Sequence, residues 1–111
     1  MIHVVNVRTT PGAIYCGRAM PGRAGSPLGN PFKLRRDLPR EQQEVELLAQ
    51  YKRWLWRQMQ SDTPVRRELL RLAALAREGD ITLGCWCKPR ACHVDVVKAA
   101  LEWMMARDLL L

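Results

Sequence analysis

The sequence lacks any run of apolar residues that approaches the roughly 20 needed to cross a membrane. Its amino terminus also lacks the apolar core and the small-residue cleavage site of a secretory signal. These absences predict a cytoplasmic protein with no membrane segment. Because thiols stay reduced in the cytoplasm, we expect the four cysteines to serve as ligands, nucleophiles or core residues rather than as disulfides.

Internal repeats, low-complexity segments and a second domain are also lacking. The 111 residues suffice for one hydrophobic core, so we predict a single domain over residues 1–111. Apolar residues make up 48% of the chain, which is typical of a globular protein and not of a disordered one.

Acidic residues are scarce in the first part of the chain. Residues 1–40 contain seven basic side chains and one acidic side chain, whereas residues 41–111 contain eleven basic and ten acidic ones. An excess of positive charge on one segment attracts polyanions such as nucleic acids or the phosphates of nucleotides, although a solvated basic surface has the same composition. Arginine prevails over lysine here, and its planar guanidinium suits bidentate phosphate contacts.

The hydrophobic pattern predicts three strands and three helices. We expect strands over residues 2–7, 13–16 and 81–87, and helices over residues 39–60, 63–77 and 92–107, with a long irregular loop over residues 19–39. The third strand is apolar throughout, which predicts a central position in a sheet. On the first helix, helical spacing predicts an inward face that contains Val45, Leu48, Leu55 and Met59.

The order β-β-loop-α-α-β-α predicts an α/β fold, resembling half of a Rossmann domain, in which helices pack on a small sheet. Ligands of open α/β sheets gather beyond the carboxyl ends of the strands. Gly17-Arg18 and Cys87-Lys88 follow two such ends, so we expect a site there.

A cluster of soft ligands near the carboxyl end is the strongest local signal. Cys85, Cys87, Cys92 and His93 lie within nine residues, and three sulfurs with one imidazole make a plausible tetrahedral zinc site. The usual spacing of two or more residues between paired cysteines is absent. The alternative is that cysteines pack as small hydrophobes, which we expect for Cys16.

A second interpretation places Cys92 and His93 in the first turn of the last helix. Free backbone N–H groups, the helix dipole and the nearby Lys88 and Arg90 would lower the pKa of the Cys92 thiol and make it a nucleophile. The same N–H groups would otherwise hold a ligand phosphate. Asp95 is a candidate catalytic carboxylate, although a carboxylate at a helix start commonly serves as a cap.

Several separated motifs together resemble the domain-of-unknown-function family 4326 over about residues 3–103. The motifs are Ile14-Tyr15-Cys16-Gly17-Arg18, Gly29-Asn30-Pro31-Phe32, Tyr51-Lys52-Arg53-Trp54-Leu55, and Gly84-Cys85-Trp86-Cys87-Lys88-Pro89 followed by Cys92-His93-x-Asp95-Val96. The resemblance implies a small cytoplasmic α/β protein of bacteria or their phages, and it implies a site without a reaction.

The site predicted from these observations lies between the loop of residues 17–32 and the turn of residues 87–93. We expect it to bind a nucleotide or nucleic acid, with Arg18 on a phosphate and Asn30 on a base or sugar. The predicted ligand-binding residues are Gly17, Arg18, Gly29, Asn30, Pro31, Lys88 and Arg90, and the candidate catalytic residues are Cys92, His93 and Asp95. The alternatives are a structural zinc module that binds a macromolecule and a small cysteine-dependent enzyme.

The carboxyl-terminal helix carries a further group of apolar residues. Trp103, Met104 and Met105, together with residues 109–111, would either complete the core or form a patch for self-association. A homo-oligomer is therefore a second prediction about partners.

Overall fold

A computed structural model describes residues 1–88, 90 and 92–107 of the chain. The fold is α/β, with a three-stranded sheet and three helices that form one domain, as the hydrophobic pattern predicts. In chain order the elements are β1 (Ile2–Asn6), β2 (Ile14–Tyr15), α1 (Arg40–Met59), α2 (Pro64–Glu78), β3 (Ile81–Cys85) and α3 (His93–Ala106).

The sheet has the order β1-β3-β2, and both outer strands run parallel to β3. The central position predicted for the third strand is therefore confirmed. Asn6 pairs with Cys85 and Tyr15 pairs with Gly84, so all three strands end at the same edge. A Cβ atom at position 84 would collide with the Val7 side chain, and the glycine allows this close packing.

The second and third helices follow their predicted patterns closely. The Thr63 hydroxyl accepts the Arg66 N–H at 3.1 Å, Pro64 occupies the first helical position, and α2 ends at Gly79. The inward residues of both helices are buried as predicted: Leu69, Leu72, Ala73 and Ala76 on α2, and Val94, Val97, Leu101 and Met104 on α3. Helix α3 packs against α1, α2 and the sheet.

The first helix departs from its predicted face at its beginning. Val45 is 79% exposed, whereas Gln43 is buried. The Gln43 amide accepts the Arg35 N–H at 2.6 Å and donates to the carbonyls of Arg35 and Leu38 at 2.9 and 3.0 Å. The helix thus buries a hydrogen-bonded amide that anchors the incoming loop, and the prediction for Val45 was wrong because spacing alone does not reveal such an anchor.

The third strand is also shorter than predicted, because it ends at Cys85 and not at residue 87. The Asn6 side chain donates to the carbonyls of Trp86 and Lys88 at 3.2 and 2.8 Å, and these bonds hold the chain in a turn. Cys87 therefore lies in this turn, beyond the strand.

No helix in the described part of the chain is both long and apolar enough to span a bilayer. Of the apolar residues predicted for self-association, Met104 is buried in the core, and Trp103 and Met105 pack partly against it. Residues 109–111 lie outside the described residues. Self-association therefore remains a prediction.

Replacing Tyr51 with Phe tests how α1 holds the loop. The Tyr51 hydroxyl is buried and donates to the Leu28 carbonyl at 2.7 Å, and burial raises the pKa of this phenol well above its usual value. Tyr51→Phe leaves that buried carbonyl unpaired, so we expect the free energy of unfolding in urea to fall by about 1–3 kcal/mol. An unchanged free energy of unfolding would contradict this role.

Candidate ligand-binding cavity

A cavity of about 550 Å³ opens at the carboxyl ends of the strands. One wall comes from residues after β2 and from the start of α1, and the other comes from the cysteine run. Of the residues predicted for the site, the cavity is lined by Gly17, Arg18, Asn30, Cys85, Cys87, Cys92 and His93. The structure thus brings the basic loop and the sulfur-bearing segment to one opening.

Arg18 holds the loop as well as facing the cavity. Its Nε donates to the Asn30 carbonyl at 2.5 Å, and one Nη donates to the Phe32 carbonyl at 2.6 Å. No carboxylate of the described residues forms an ion pair with it, so its charge is not compensated by a neighbouring side chain. Arg18 therefore holds the loop in place, and its remaining N–H groups have no partner among the described residues.

Of the other predicted loop residues, Asn30 lines the cavity, whereas Gly29 and Pro31 lie within the loop away from it. The Asn30 Oδ1 accepts the Phe32 N–H at 2.9 Å, which leaves its NH₂ group without a partner among the described residues. A Cβ atom at Gly29 would lie 3.0 Å from the Gly17 carbonyl oxygen, so this glycine allows two loop segments to touch. Gly29 and Pro31 do not line the cavity. These two residues therefore determine the path of the loop and do not contact a ligand in the cavity.

Three further cations line the cavity that were not among the predicted site residues. Lys33 and Arg36 form no ion pair in the described part of the chain, whereas Arg40 pairs with Glu44 at 2.6 Å. A hydrogen bond from Arg40, then the nearby charges of Arg40 and Arg90, lower the pKa of the partly exposed Glu44 carboxyl. The excess of basic residues over residues 1–40 indicated that cations would lie near the site. The count alone could not show which of them line the same wall of the cavity.

The predicted ligand-binding residues Lys88 and Arg90 are instead engaged in ion pairs. Lys88 Nζ lies 2.6 Å from Asp95 Oδ1, and Arg90 Nη1 lies 3.3 Å from Glu44 Oε1. Neither residue lines the cavity. The Asp95 carboxylate also accepts the Cys92 N–H at 3.2 Å, so it caps α3. The structure therefore favours the capping role of Asp95 over a catalytic one.

The thiols of Cys85, Cys87 and Cys92 line the cavity together, and each shifts the pKa of the others. Cys87 and Cys92 donate to Cys85, which lowers the pKa of the Cys85 thiol far below its usual value. Interaction with Cys85 raises the pKa of Cys87, and interaction with both neighbouring thiols, together with burial, raises that of Cys92. The direction for Cys92 is opposite to the one expected from the helix start. The three thiols therefore titrate as a coupled group.

His93 joins this thiol cluster to the strand edge. Its Nε2 lies 2.7 Å from the Cys16 carbonyl oxygen and its Nδ1 lies 3.6 Å from Cys92 Sγ. Burial lowers the pKa of the imidazole, although the hydrogen bond to Cys16 opposes this effect. A neutral ring that donates through Nε2 to Cys16 and accepts the Cys92 thiol through Nδ1 satisfies both contacts. Cys16 itself is fully buried, as predicted, and burial raises the pKa of its thiol to about 12.

The zinc site predicted from the spacing of Cys85, Cys87, Cys92 and His93 finds no support in the described geometry. Among the residues that the structure describes, no group of three or more His, Cys, Asp or Glu side chains is placed so that it could hold a metal ion. The His93 ring already uses both nitrogens, so it does not complete a set with the three sulfurs. The zinc module remains a prediction from spacing alone.

The lowered pKa of His93 predicts a pH-dependent stability. Above the unfolded value of about 6.5 the imidazole is neutral in both states. As the pH falls below that value, the unfolded chain binds a proton that the folded chain resists, so stability is lost by up to about 1.4 kcal/mol per pH unit. We expect urea unfolding at pH 7.5 and 5.5 to show a smaller loss for His93→Gln than for wild type.

The matched control for this measurement is His3→Gln, because His3 is exposed on the edge strand β1. This variant should keep the wild-type loss of stability. If the free energy of unfolding falls equally between pH 7.5 and 5.5 in wild type and in His93→Gln, His93 does not stay neutral in the folded protein.

Comparisons with known proteins agree with the motif resemblance. Searches of curated proteins and of solved structures returned no match. The family model described as "Domain of unknown function (DUF4326)" matches residues 3–103, which include every element of the fold except the start of β1 and the end of α3. On this match, the chain belongs to the DUF4326 family.

Proposed function

We propose that this protein binds a phosphate-bearing ligand, a nucleotide or nucleic acid, in the cavity between the loop and the thiol cluster. The observation that carries the proposal is the pair of cations Lys33 and Arg36, which line the cavity without an ion-pair partner in the described chain. Cations held at a concave surface raise the local concentration of anionic ligands. Arg18 adds a third uncompensated charge on the same side.

The size and lining of the cavity also suit such a ligand. Its volume of about 550 Å³ lies within the range of about 300–1,000 Å³ that is usual for small-molecule sites. The charged side chains stand beside apolar ones, since Met20, Phe32, Leu34 and Leu47 also line it. A nucleotide combines an anionic phosphate with a flat, largely apolar base, and this mixed lining can receive both parts.

Arg36→Ala tests the proposal more selectively than Arg18→Ala, because Arg18 also holds the loop carbonyls. We expect the affinity for a nucleoside monophosphate, measured by calorimetry, to fall about 10-fold or more in Arg36→Ala, since a charge-assisted hydrogen bond is lost. Added salt should weaken binding by the wild type.

The control is Arg66→Ala, which removes an exposed cation of α2 that does not line the cavity. This variant should bind as the wild type does. If the wild type binds neither mononucleotides nor oligonucleotides, or if Arg36→Ala and Arg66→Ala lose equal affinity, the proposal fails.

A cysteine-dependent enzyme is a second candidate, favoured by the thiol cluster on the cavity wall. The lowered pKa of Cys85 favours its thiolate, and thiolates are the reactive form of cysteine. The raised pKa of Cys92 favours the neutral thiol at that position. Cys85 and Cys92 are both almost fully buried, so a substrate would reach them only through the cavity.

Alkylation with iodoacetamide at pH 6 tests this candidate. We expect peptide mapping to find the segment of residues 85–92 modified faster than a free peptide cysteine, because its thiolate persists at this pH. Cys16 serves as the internal control, since its raised pKa and burial should leave it unmodified. Modification of the cluster no faster than a free peptide cysteine would argue against thiol catalysis.

A further inference from the structure

We infer that the ligand of this cavity is a single-stranded nucleic acid, with one nucleotide in the cavity and a neighbouring base stacked on Trp86. This inference rests on the proposed function and specifies its ligand. The observation behind it is an aromatic and cationic surface that begins at the rim of the cavity and continues beyond it.

Trp86 is an exposed aromatic side chain with a fixed orientation. It is 40% exposed although it follows the buried strand β3, and it lines the cavity at its rim. Its indole N–H donates to the Tyr15 hydroxyl at 3.1 Å, and that hydroxyl donates to the Arg18 carbonyl at 2.5 Å. A rigid, partly exposed ring of this kind is the platform on which bases of single strands stack.

Two arginines flank this ring. The guanidinium carbons of Arg8 and Arg23 each lie 5.8 Å from the centre of the Trp86 ring, and Arg23 also lies 5.1 Å from the Tyr15 ring. Neither residue lines the cavity, and neither forms an ion pair with a carboxylate in the described chain. Positive charge therefore extends past the cavity, along the surface that holds Trp86.

This extension favours a strand over a mononucleotide. Arg18, Lys33 and Arg36 already supply the charge that one nucleotide in the cavity needs. Arg8 and Arg23 are then available for a second phosphate. A base that stacks on Trp86 displaces one guanidinium from the ring, and the displaced cation pairs with the phosphate beside that base.

The duplex form of nucleic acid fits this surface less well. In a duplex the bases are stacked on one another and their faces are not accessible to a side chain, so Trp86 would have to unstack them at a cost. A single strand offers free base faces.

Calorimetric titration with thymidine monophosphate, with single-stranded oligothymidylates of increasing length and with a DNA duplex tests the inference. We expect the wild type to bind the oligomers about 10-fold more tightly than the monophosphate, because one additional base stacks. In Trp86→Ala that ratio should fall close to one, and Trp86→Phe should restore much of it. The control is Trp56→Ala, because Trp56 is exposed but lies on α1 outside the cavity, and this variant should keep the ratio.

Salt dependence provides a second measurement. Each phosphate neutralised contributes about 0.7 to the slope of log affinity against log salt for a single strand. The double variant Arg8→Ala, Arg23→Ala should therefore bind oligomers with a shallower slope than Arg66→Ala.

The outcomes separate this inference from the function on which it rests. Equal affinity for the monophosphate and the oligomers in the wild type, tighter binding of a duplex, or an unchanged ratio in Trp86→Ala would overturn the inference while leaving a nucleotide-binding cavity in place. Absence of binding by all of these ligands would overturn both.

Discussion

The hydrogen bond between the His93 imidazole and the Cys16 carbonyl is the contact on which the site depends. It joins the first residue of α3 to the residue after β2, at a distance of 2.7 Å. Because Cys16 leads directly into Gly17 and Arg18, this bond sets the basic loop against the thiol cluster. Burial of the ring makes the bond strong and keeps the imidazole neutral.

The arginines of the first forty residues have different tasks, and geometry separates them. Arg18 fixes the loop through two backbone carbonyls, and Arg35 pairs with Asp37. Arg8 and Arg23 stack on Trp86, and Arg36 faces the cavity. A basic segment can thus look uniform in sequence while only part of its charge is free to meet a ligand.

Much of the fold could be predicted from the sequence, because periodicity and caps are local signals. The Thr63 cap, the Gly79 end and the buried faces of α2 and α3 follow directly from residue spacing. The exposure of Val45 and the burial of Gln43 could not be predicted in this way, because an amide that anchors a distant loop leaves no local pattern in the sequence.

The site was predictable in position but less so in chemistry. Chain order predicts that two strand ends meet, and of the residues it named there, Gly17, Arg18 and Cys87 line the cavity whereas Lys88 does not. The ion pairs of Lys88 and Arg90 and the direction of the Cys92 pKa depend on tertiary neighbours, such as Glu44 from α1 and Cys85 from β3. A helix start lowers the pKa of an isolated thiol, but the two neighbouring thiols and burial outweigh that effect for Cys92.

The central claim is that the loop and the thiol cluster form the two walls of one ligand site. Amide chemical-shift mapping by NMR during titration with a nucleoside monophosphate tests it most directly. We predict that the shifts group together at residues 17–40 and 84–95 and saturate with one common dissociation constant. Shifts confined to one of these segments, or spread over the exposed faces of α1 and α2, would contradict the account.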